Sequence, residues 1–381
     1  MSGGGLLSAV LIVKNEERFL AQCLRSIQGF VDEAVVVDTG STDRTREIAR
    51  DEGARLHDFP WADDFSAARN HALDLARGEW ILYIDADERA RPCPLPELRA
   101  QLSNPEHAAC YVLLHARPGF TPYRELRLFR NDPLIRFRGV IHETIWPGVN
   151  AYRAARGGRI GRSGLVLDHE GYEGDQQHKH SRNLPLLTRA LREDPTRVFI
   201  WCHLANICLA TGREALAERA WRIALKLVKH KRGLGLLPED SLPYISLAQR
   251  RLGEGKDVER LLTEAQRRFP RNLQLAWLQG QALLKGGRFA EAIPVFERLI
   301  ACGETGQVDD SMGYDLRLFG VLAFESIATC HFKLGNYLEA GRFFERAAAG
   351  DPDKLEYRVK RALCSQLERS GAGQPGVAPL G

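Results

Sequence analysis

Four short apolar runs, at residues 6–13, 33–38, 55–58 and 79–85, alternate with three segments of helical spacing, at 17–27, 43–52 and 66–76. In the first helical segment Phe19, Leu20, Cys23, Leu24 and Ile27 recur on one face, while Gly53 stops the second and Arg77-Gly78 the third. A helix between two strands returns the chain to the same end of a sheet. This order therefore commits roughly the first 115 residues to an α/β fold, a mostly parallel sheet covered by helices. Sheets of this kind bind ligands at the carboxyl ends of their strands. The fourth run enters Asp85-Ala86-Asp87-Glu88 at such an end. Three carboxylates in four positions repel one another, so the end of a buried strand is a costly place for them.

From 90 to 174 the texture changes: Pro, Gly and Arg are frequent, and 108–115 and 125–129 read as further strands. This part is expected to close over the sheet edge as a second half of the site. From about 181 the chain becomes helical and repeats itself. Aligned on Gly212, Gly287 and Gly335, three copies place a small residue seven positions earlier (Ala205, Gly280, Ala328). An alanine falls five later (Ala217, Ala292, Ala340) and an aromatic nine later (Trp221, Phe296, Phe344). The pattern resembles the tetratricopeptide repeat, two antiparallel helices per unit, in which small residues let the helices approach and aromatics fill the gap to the next unit. The spacings of 75 and 48 residues exceed the family's usual period, and a degenerate fourth copy is expected at 242–270. The domains read from this texture are 1–178, a sheet domain, and 179–369, a helical repeat domain, with a Gly/Pro/Ala-rich tail at 370–381 expected to be disordered.

Composition excludes several classes. With 53 basic against 49 acidic residues the net charge is +4, too balanced for a nucleic-acid binder. The eight cysteines include no CxxC pair and read as reduced core thiols, not as a zinc site or a disulfide frame. The N-terminal segment has no basic region followed by an apolar stretch of signal-peptide length. No apolar run approaches the ~18 residues that span a bilayer. A cytoplasmic protein is expected, with work at the surface of the inner membrane left open.

An isolated DxD is most often a solvated turn, but three companions change the balance. Asp38 also ends an apolar strand, and a Gly/Ser/Thr turn containing Gly40 follows it before a helix opens. Ser41 or Thr42 serves there as a helix cap, which leaves Asp38 for another role. Val13-Lys14-Asn15-Glu16 closes the first strand, either as a plain loop or as a polar wall of the same crevice. Arg69 lies on the helix leading to the acidic strand. Its guanidinium suits a diphosphate or a nucleobase edge, and otherwise it is a surface arginine. Together these residues suit a ligand with a base, a ribose and a diphosphate. Mn²⁺ or Mg²⁺ takes carboxylate, water and phosphate oxygens, and would relieve the repulsion within the acidic cluster.

The blocks "LIVKNEERFLAQCLRSI", "DEAVVVDTGSTDRTREIA", "FSAARNHALDLARGEWILYIDADE" and "LFRN…FRGVIHE" resemble family-2 glycosyltransferases of the GT-A fold, over about residues 5–180 and in the right order. Bacterial members with a C-terminal tetratricopeptide domain resemble the whole chain. They include peptide S-glycosyltransferases, while lipopolysaccharide-core glucosyltransferases share the last block. The resemblance implies transfer of a sugar from a nucleotide diphosphate, UDP ahead of others, with inversion at the anomeric carbon. Residue by residue, it implies Val13, Lys14, Asn15, Glu16 and Gly40 around the nucleoside and Asp38 at the uracil. Arg69 faces the nucleotide, Asp85 with Ala86 lies at the ribose or donor sugar, and Asp87 holds the metal with Glu88 just beyond it.

Inverting transfer needs a carboxylate to take the acceptor proton. Glu143 in "GVIHE" is the candidate, with His142 orienting it or touching acceptor. Both being structural stays open, because the family's usual ED pair is not found at its place. His169 in "VLDHEGY" is a candidate further metal ligand, or a structural histidine. Ten arginines over 117–162 form either a solvated face or a site for a diphosphate or an anionic acceptor. The expected enzyme is a metal-dependent inverting glycosyltransferase whose acceptor is a glycan, a lipid-linked glycan or a peptide. Its repeats would receive a peptide, a protein partner or an identical subunit. The rival is an inactive GT-A scaffold that binds partners through its repeats. A metal-dependent nucleotidyltransferase would share the carboxylates, but the loop "VKNEER" lacks that class's glycines.

Overall fold

The computed structural model describes residues 7–171, 176–231 and 235–370. Residues 371–381, expected to form most of the disordered tail, lie outside them. The chain divides into two compact units, Met1–Pro118 with Pro122–Ala220, and Gly119–Thr121 with Trp221–Gly381.

In the first unit, β1 (Leu7–Val13), α1 (Leu20–Ile27), β2 (Glu33–Asp38), α2 (Thr45–Asp51), β3 (Arg55–Asp58), α3 (Phe65–Leu75) and β4 (Trp80–Tyr83) follow the order read from periodicity. Then come β5 (Glu88–Ala90), α4 (Leu95–Ser103), β6 (His107–His115), β7 (Tyr123–Arg130), α5 (Trp146–Arg156) and β8 (Arg159–His169). The eight strands make one sheet in the order β3-β2-β1-β4-β7-β6-β8-β5. Strands β1 to β4 are parallel to one another, while β7 runs antiparallel to β4 and to β6, so the sheet is mixed. The inner parallel strands β1, β2 and β4 are largely apolar on both faces, as a sheet covered on both sides requires, and the edge strand β3 is polar. One face packs Leu7, Leu11, Trp80 and Leu82 with Leu20, Leu24 and Ile27 of α1, and the other packs Val35, Val37, Ile81 and Phe129 with Ala72 and Leu73 of α3.

Register brings the strand ends together. Val13 pairs with Asp38, and Asp38 with Asp58. The fourth strand stops at Tyr83, so Asp85, Ala86 and Asp87 occupy the turn between β4 and β5, and Glu88 begins β5.

Composition alone draws the domain boundary at 178/179, whereas the packing draws it after Ala220. The helices α6 (Gln176–Glu193) and α7 (Val198–Ala210) stay with the sheet because their Leu186, Leu187, Ala190, Ile200 and Ile207 share one apolar cluster with Val140 and Ile141. Helix α8 (Glu214–His230) contains the division.

The second unit continues with α9 (Leu242–Gly253), α10 (Glu259–Arg268), α11 (Leu273–Lys285), α12 (Phe289–Thr305), α13 (Val321–Lys333), α14 (Tyr337–Gly350) and α15 (Leu355–Arg369). Gly212, Gly287 and Gly335 all take positive φ, +73°, +74° and +79°, at the turns inside the three aligned helix pairs. Gly255 does the same between α9 and α10, at φ +69°, inside the expected fourth copy. The small residues, alanines and aromatics of the alignment are buried. At Gly280 an added Cβ would stand 2.6 Å from the Phe296 ring, which is the close helix approach that the alignment predicts.

Candidate active site

The turn after β4 is built around two buried guanidiniums. Arg69 on α3 donates from Nη2 to Asp85 Oδ1 at 2.8 Å and from Nε to Glu143 Oε1 at 2.5 Å. Arg127 on β7 donates to Glu88 Oε1 at 2.9 Å, to Asp85 Oδ2 at 3.3 Å and to Glu125 Oε2 at 2.8 Å. The Tyr83 ring lies between them, 5.0 Å from Arg69 Cζ and 4.3 Å from Arg127 Cζ. Burial pushes the Asp85 carboxyl up, but Arg69 and Arg127 outweigh it and hold the group well below the usual carboxylate range. Glu88 goes the other way: burial drives it up to about 7 against the pull of Arg127. The repulsion inside the triplet is thus answered mainly by arginines brought from α3 and β7.

Asp87 is the member of the triplet that faces a histidine. Its Oδ2 lies 3.2 Å from His169 Nε2 at the end of β8, and both side chains are about a quarter exposed, 26% and 24%. The hydrogen bond to Asp87 raises the His169 pKa, against burial. Gly171 passes so close that a Cβ there would collide with the Asp87 carboxylate. Among the described residues no group of three or more His, Cys, Asp or Glu is arranged to hold a metal. One carboxylate and one imidazole are what this chain offers. That set fits a hard divalent ion whose remaining positions go to water and substrate phosphate.

The 138–144 segment is a closed loop. Arg138 and Thr144 exchange backbone hydrogen bonds at 3.0 and 2.9 Å, Gly139 turns with φ +100° and His142 with φ +48°. Asn70 of α3 pins the approach to the loop, donating to the Phe137 carbonyl at 3.0 Å and accepting the Phe137 N–H at 2.8 Å. Glu143 is delivered to Arg69 from this loop. The His142 ring packs at a tilt against His203 of α7, centroids 4.0 Å apart, with Phe199 edge-on at 5.3 Å. Burial lowers the His142 pKa to about 4 and that of His203 to about 3.

On the side expected to meet the nucleoside, the polar groups bond to one another. Asp38 is buried and its carboxylate accepts the Gly40 and Ser41 N–H groups at 3.1 to 3.3 Å and an Arg46 N–H at 2.9 Å. Arg46 also bonds Asp58. The Asp38 carboxylate therefore shapes its own turn. Gly40, at φ +104°, allows that turn and has open space around it. Asn15, at φ +57°, accepts the Thr42 N–H at 2.8 Å, and the Asn15 and Glu16 N–H groups donate to Ser41 and Thr45 hydroxyls. The 14–17 and 39–45 loops are thus laced together, with Lys14 exposed beside them and Val13 buried in the core. Ala86 is buried, and its carbonyl accepts from Arg89.

Sequence reasoning missed Arg127, Arg46 and His203. Arg127 carries a signal, an arginine between two apolar strand residues in "ELRLF", but it was pooled with nine others. No local pattern marks Arg46 or His203.

The chain is similar to a transferase family over part of its first unit and to a helical repeat family over part of its second. Residues 8–158 match the family described as Glycosyl transferase family 2, and 246–306 match Tetratricopeptide repeat. A TPR repeat-containing protein of Synechococcus elongatus is 36% identical over 260 residues, 65% of this chain and 62% of that protein. The SPbeta prophage-derived glycosyltransferase SunS of Bacillus subtilis is 28% identical over 202 residues, 49% of this chain and 45% of that one. The chain therefore spans less than two thirds of the length of these relatives. Among solved structures, glucosyl-3-phosphoglycerate synthase from Mycobacterium tuberculosis aligns at 20% identity and a TM-score of 0.37, covering 49% of this chain and 80% of that one.

Proposed function

We propose that this chain is a metal-dependent inverting glycosyltransferase that moves a sugar from a nucleotide diphosphate, UDP ahead of others, to a glycan, lipid-linked or peptide acceptor. The observation that carries the reading is the pair of couples flanking one strand end. Asp87 with His169 is the candidate metal side, at 3.2 Å, and Arg69 with Glu143 is the candidate acceptor side, at 2.5 Å.

In this reading Asp87 and His169 would hold Mn²⁺ or Mg²⁺, and the ion would supply charge neutralisation to a leaving diphosphate. The laced loops of Val13, Lys14, Asn15, Glu16, Asp38 and Gly40 face the nucleoside, with Asp38 acting through the shape of its turn. Asp85 and Ala86 lie along the ribose and donor sugar. The acceptor oxygen or sulfur attacks the anomeric carbon, the bond to the diphosphate oxygen breaks, and Glu143 takes the acceptor proton. Arg69 keeps Glu143 aimed and its charge compensated in a site of low exposure. The repeats offer a surface for a peptide, a protein partner or a second copy. No helix among the described residues is long and apolar enough to cross a membrane.

The engagement of Asp38 by Arg46 is the observation that favours the scaffold, because a uracil would have to compete for that carboxylate. A thermal-shift screen of UDP, GDP, ADP and dTDP with and without Mn²⁺ separates the two. A ligand that binds only the native state raises the melting temperature by mass action. Stabilisation by UDP that needs Mn²⁺ supports the enzyme, and no shift with any nucleotide from folded protein supports the scaffold.

A further inference from the structure

Helices α6 and α7 follow the region that matches the transferase family, yet they grip the two elements that supply the Arg69–Glu143 pair. At the start of α3, Asp64 caps the helix by accepting the Ala67 N–H at 2.9 Å. Arg189 of α6 lies 3.6 Å from the same carboxylate and donates to the Asp63 carbonyl at 3.3 Å. On the loop side, Val140 and Ile141 pack against Leu186, Leu187, Ala190 and Ile200. The two sides are also tied directly: the Phe65 N–H donates to the Val140 carbonyl at 3.0 Å and the Ser66 hydroxyl to the Gly139 carbonyl at 2.7 Å.

Arg197, the residue before α7, is the polar member of this grip. Its Nη2 donates to the His142 carbonyl at 2.7 Å, and a Cβ on Gly139 would collide with its Nη1. The guanidinium thus occupies space that only glycine leaves open, and it holds the carbonyl that directly precedes Glu143. His142 sits there at φ +48°, a conformation that non-glycine residues hold only when their surroundings enforce it. Arg138 and Thr144 close the base of the loop, Phe65 and Ser66 hold the Val140 and Gly139 carbonyls, and Arg197 holds the carbonyl of His142 itself.

We propose that Arg197 is a positioning residue: from the α6–α7 junction it holds the 139–143 loop in the left-handed turn that presents Glu143 to Arg69. The inference rests on the transferase reading and on Glu143 as base. It makes the α6–α7 pair a working part of the catalytic unit and not a spacer before the repeats. Misplacing a reacting group by about an ångström costs on the order of 100-fold in rate, so the expected effect lies in turnover and not in donor binding.

The test uses the full chain, with Mn²⁺ and a panel of UDP-, GDP- and dTDP-sugars, reading nucleoside diphosphate release with water as acceptor. Arg197→Ala is expected to lower kcat by roughly 10- to 100-fold with KM for the donor within about threefold, and added guanidinium ion is expected to restore part of the loss. Gly139→Ala puts a methyl where Arg197 lies and also strains a backbone at φ +100°, so it should fall at least as far as Arg197→Ala, without the rescue. Arg197→Lys keeps one donor but not the planar fork, and should fall between the two. If Arg197→Ala does not fold, the Lys and Gly139 variants carry the comparison. Glu143→Gln is run alongside. An inactive Glu143→Gln with an Arg197→Ala at wild-type kcat, or one that loses only donor affinity, overturns this inference and leaves the base standing. A fully active Glu143→Gln removes Glu143 as the base and overturns this inference while leaving the transferase reading, and a wild type that turns over no sugar nucleotide overturns the transferase reading and this inference with it.

Discussion

Arg127 donates to Glu88 at 2.9 Å with both side chains almost out of solvent, 7% and 1% exposed. The same guanidinium reaches Asp85 and Glu125, so one side chain from β7 compensates three carboxylates. Breaking a buried ion pair by removing one partner leaves an uncompensated charge, at a cost of ~3–5 kcal/mol. Arg127→Met is therefore expected to destabilise the first unit by about that amount in urea unfolding. Glu88→Gln, which keeps the shape and removes the charge, should cost less. Equal losses for the two would mean that packing, not charge, dominates here.

Asp87 can be removed without disturbing the core, because it is partly exposed and lies outside the Arg69–Arg127 network. Asp87→Ala should leave the melting temperature of the unliganded chain within about 1 °C, the shift expected of less than about 1 kcal/mol in a chain of this size. Any stabilisation by UDP that depends on Mn²⁺ should disappear. A retained Mn²⁺-dependent shift would move the metal away from this residue.

Gly171 offers an independent approach to the same carboxylate. A methyl there collides with Asp87 Oδ2, so Gly171→Ala must displace one or the other. The expected result is Mn²⁺ affinity reduced about 10- to 100-fold, the range seen when groups that orient a metal ligand are altered. Isothermal titration with Mn²⁺ in the presence of UDP measures it, and unchanged affinity would show that the carboxylate can move aside.

Acid should loosen the contact between α7 and the 139–143 loop. His142 and His203 are neutral in the fold, their pKa values lowered by burial to about 4 and about 3, while the unfolded chain takes these protons near pH 6.5. Stability is thus complete above about pH 6.5 and falls as the pH drops from there toward 4, because the unfolded state binds more protons. His203→Phe removes one of these groups. The difference in unfolding free energy between pH 7.5 and pH 5 should be smaller in the variant, and an identical pH slope would assign the acid sensitivity elsewhere.

In the helical unit, Phe296 fills the space that Gly280 leaves. Phe296→Ala should cost ~3–5 kcal/mol, and Gly280→Ala should also destabilise, by overpacking. Circular dichroism melts of both variants read this. A neutral Gly280→Ala would mean that the two helices can separate at little cost.

Much of this architecture is legible in the chain. Period-two and period-3.6 patterns place β1 to β4 and α1 to α3, because both depend on which face of a local element meets the core. The glycines at 212, 287 and 335 mark the repeat turns for a backbone reason, their positive φ. The strand-end acids were also visible, since Asp38 and Asp85 each end an apolar run. What the sequence concealed was partnership. Asp38 and Arg46 are eight residues apart, and Asp85 and Arg127 are 42 apart, so nothing in either local pattern announces the pair.

The sequence by itself determined the classes of element, their order, and the kind of residue that stands at each strand end, because local periodicity and turn chemistry fix these. Only the tertiary structure decided which carboxylate is engaged and how. Asp85 and Glu88 are held by arginines from α3 and β7, Asp38 is bound into its own turn, and Asp87 faces His169. It also decided that α6 and α7 belong with the sheet, since their apolar faces close over Val140 and Ile141. Charge compensation and burial act through space, over distances that the chain's own order does not record.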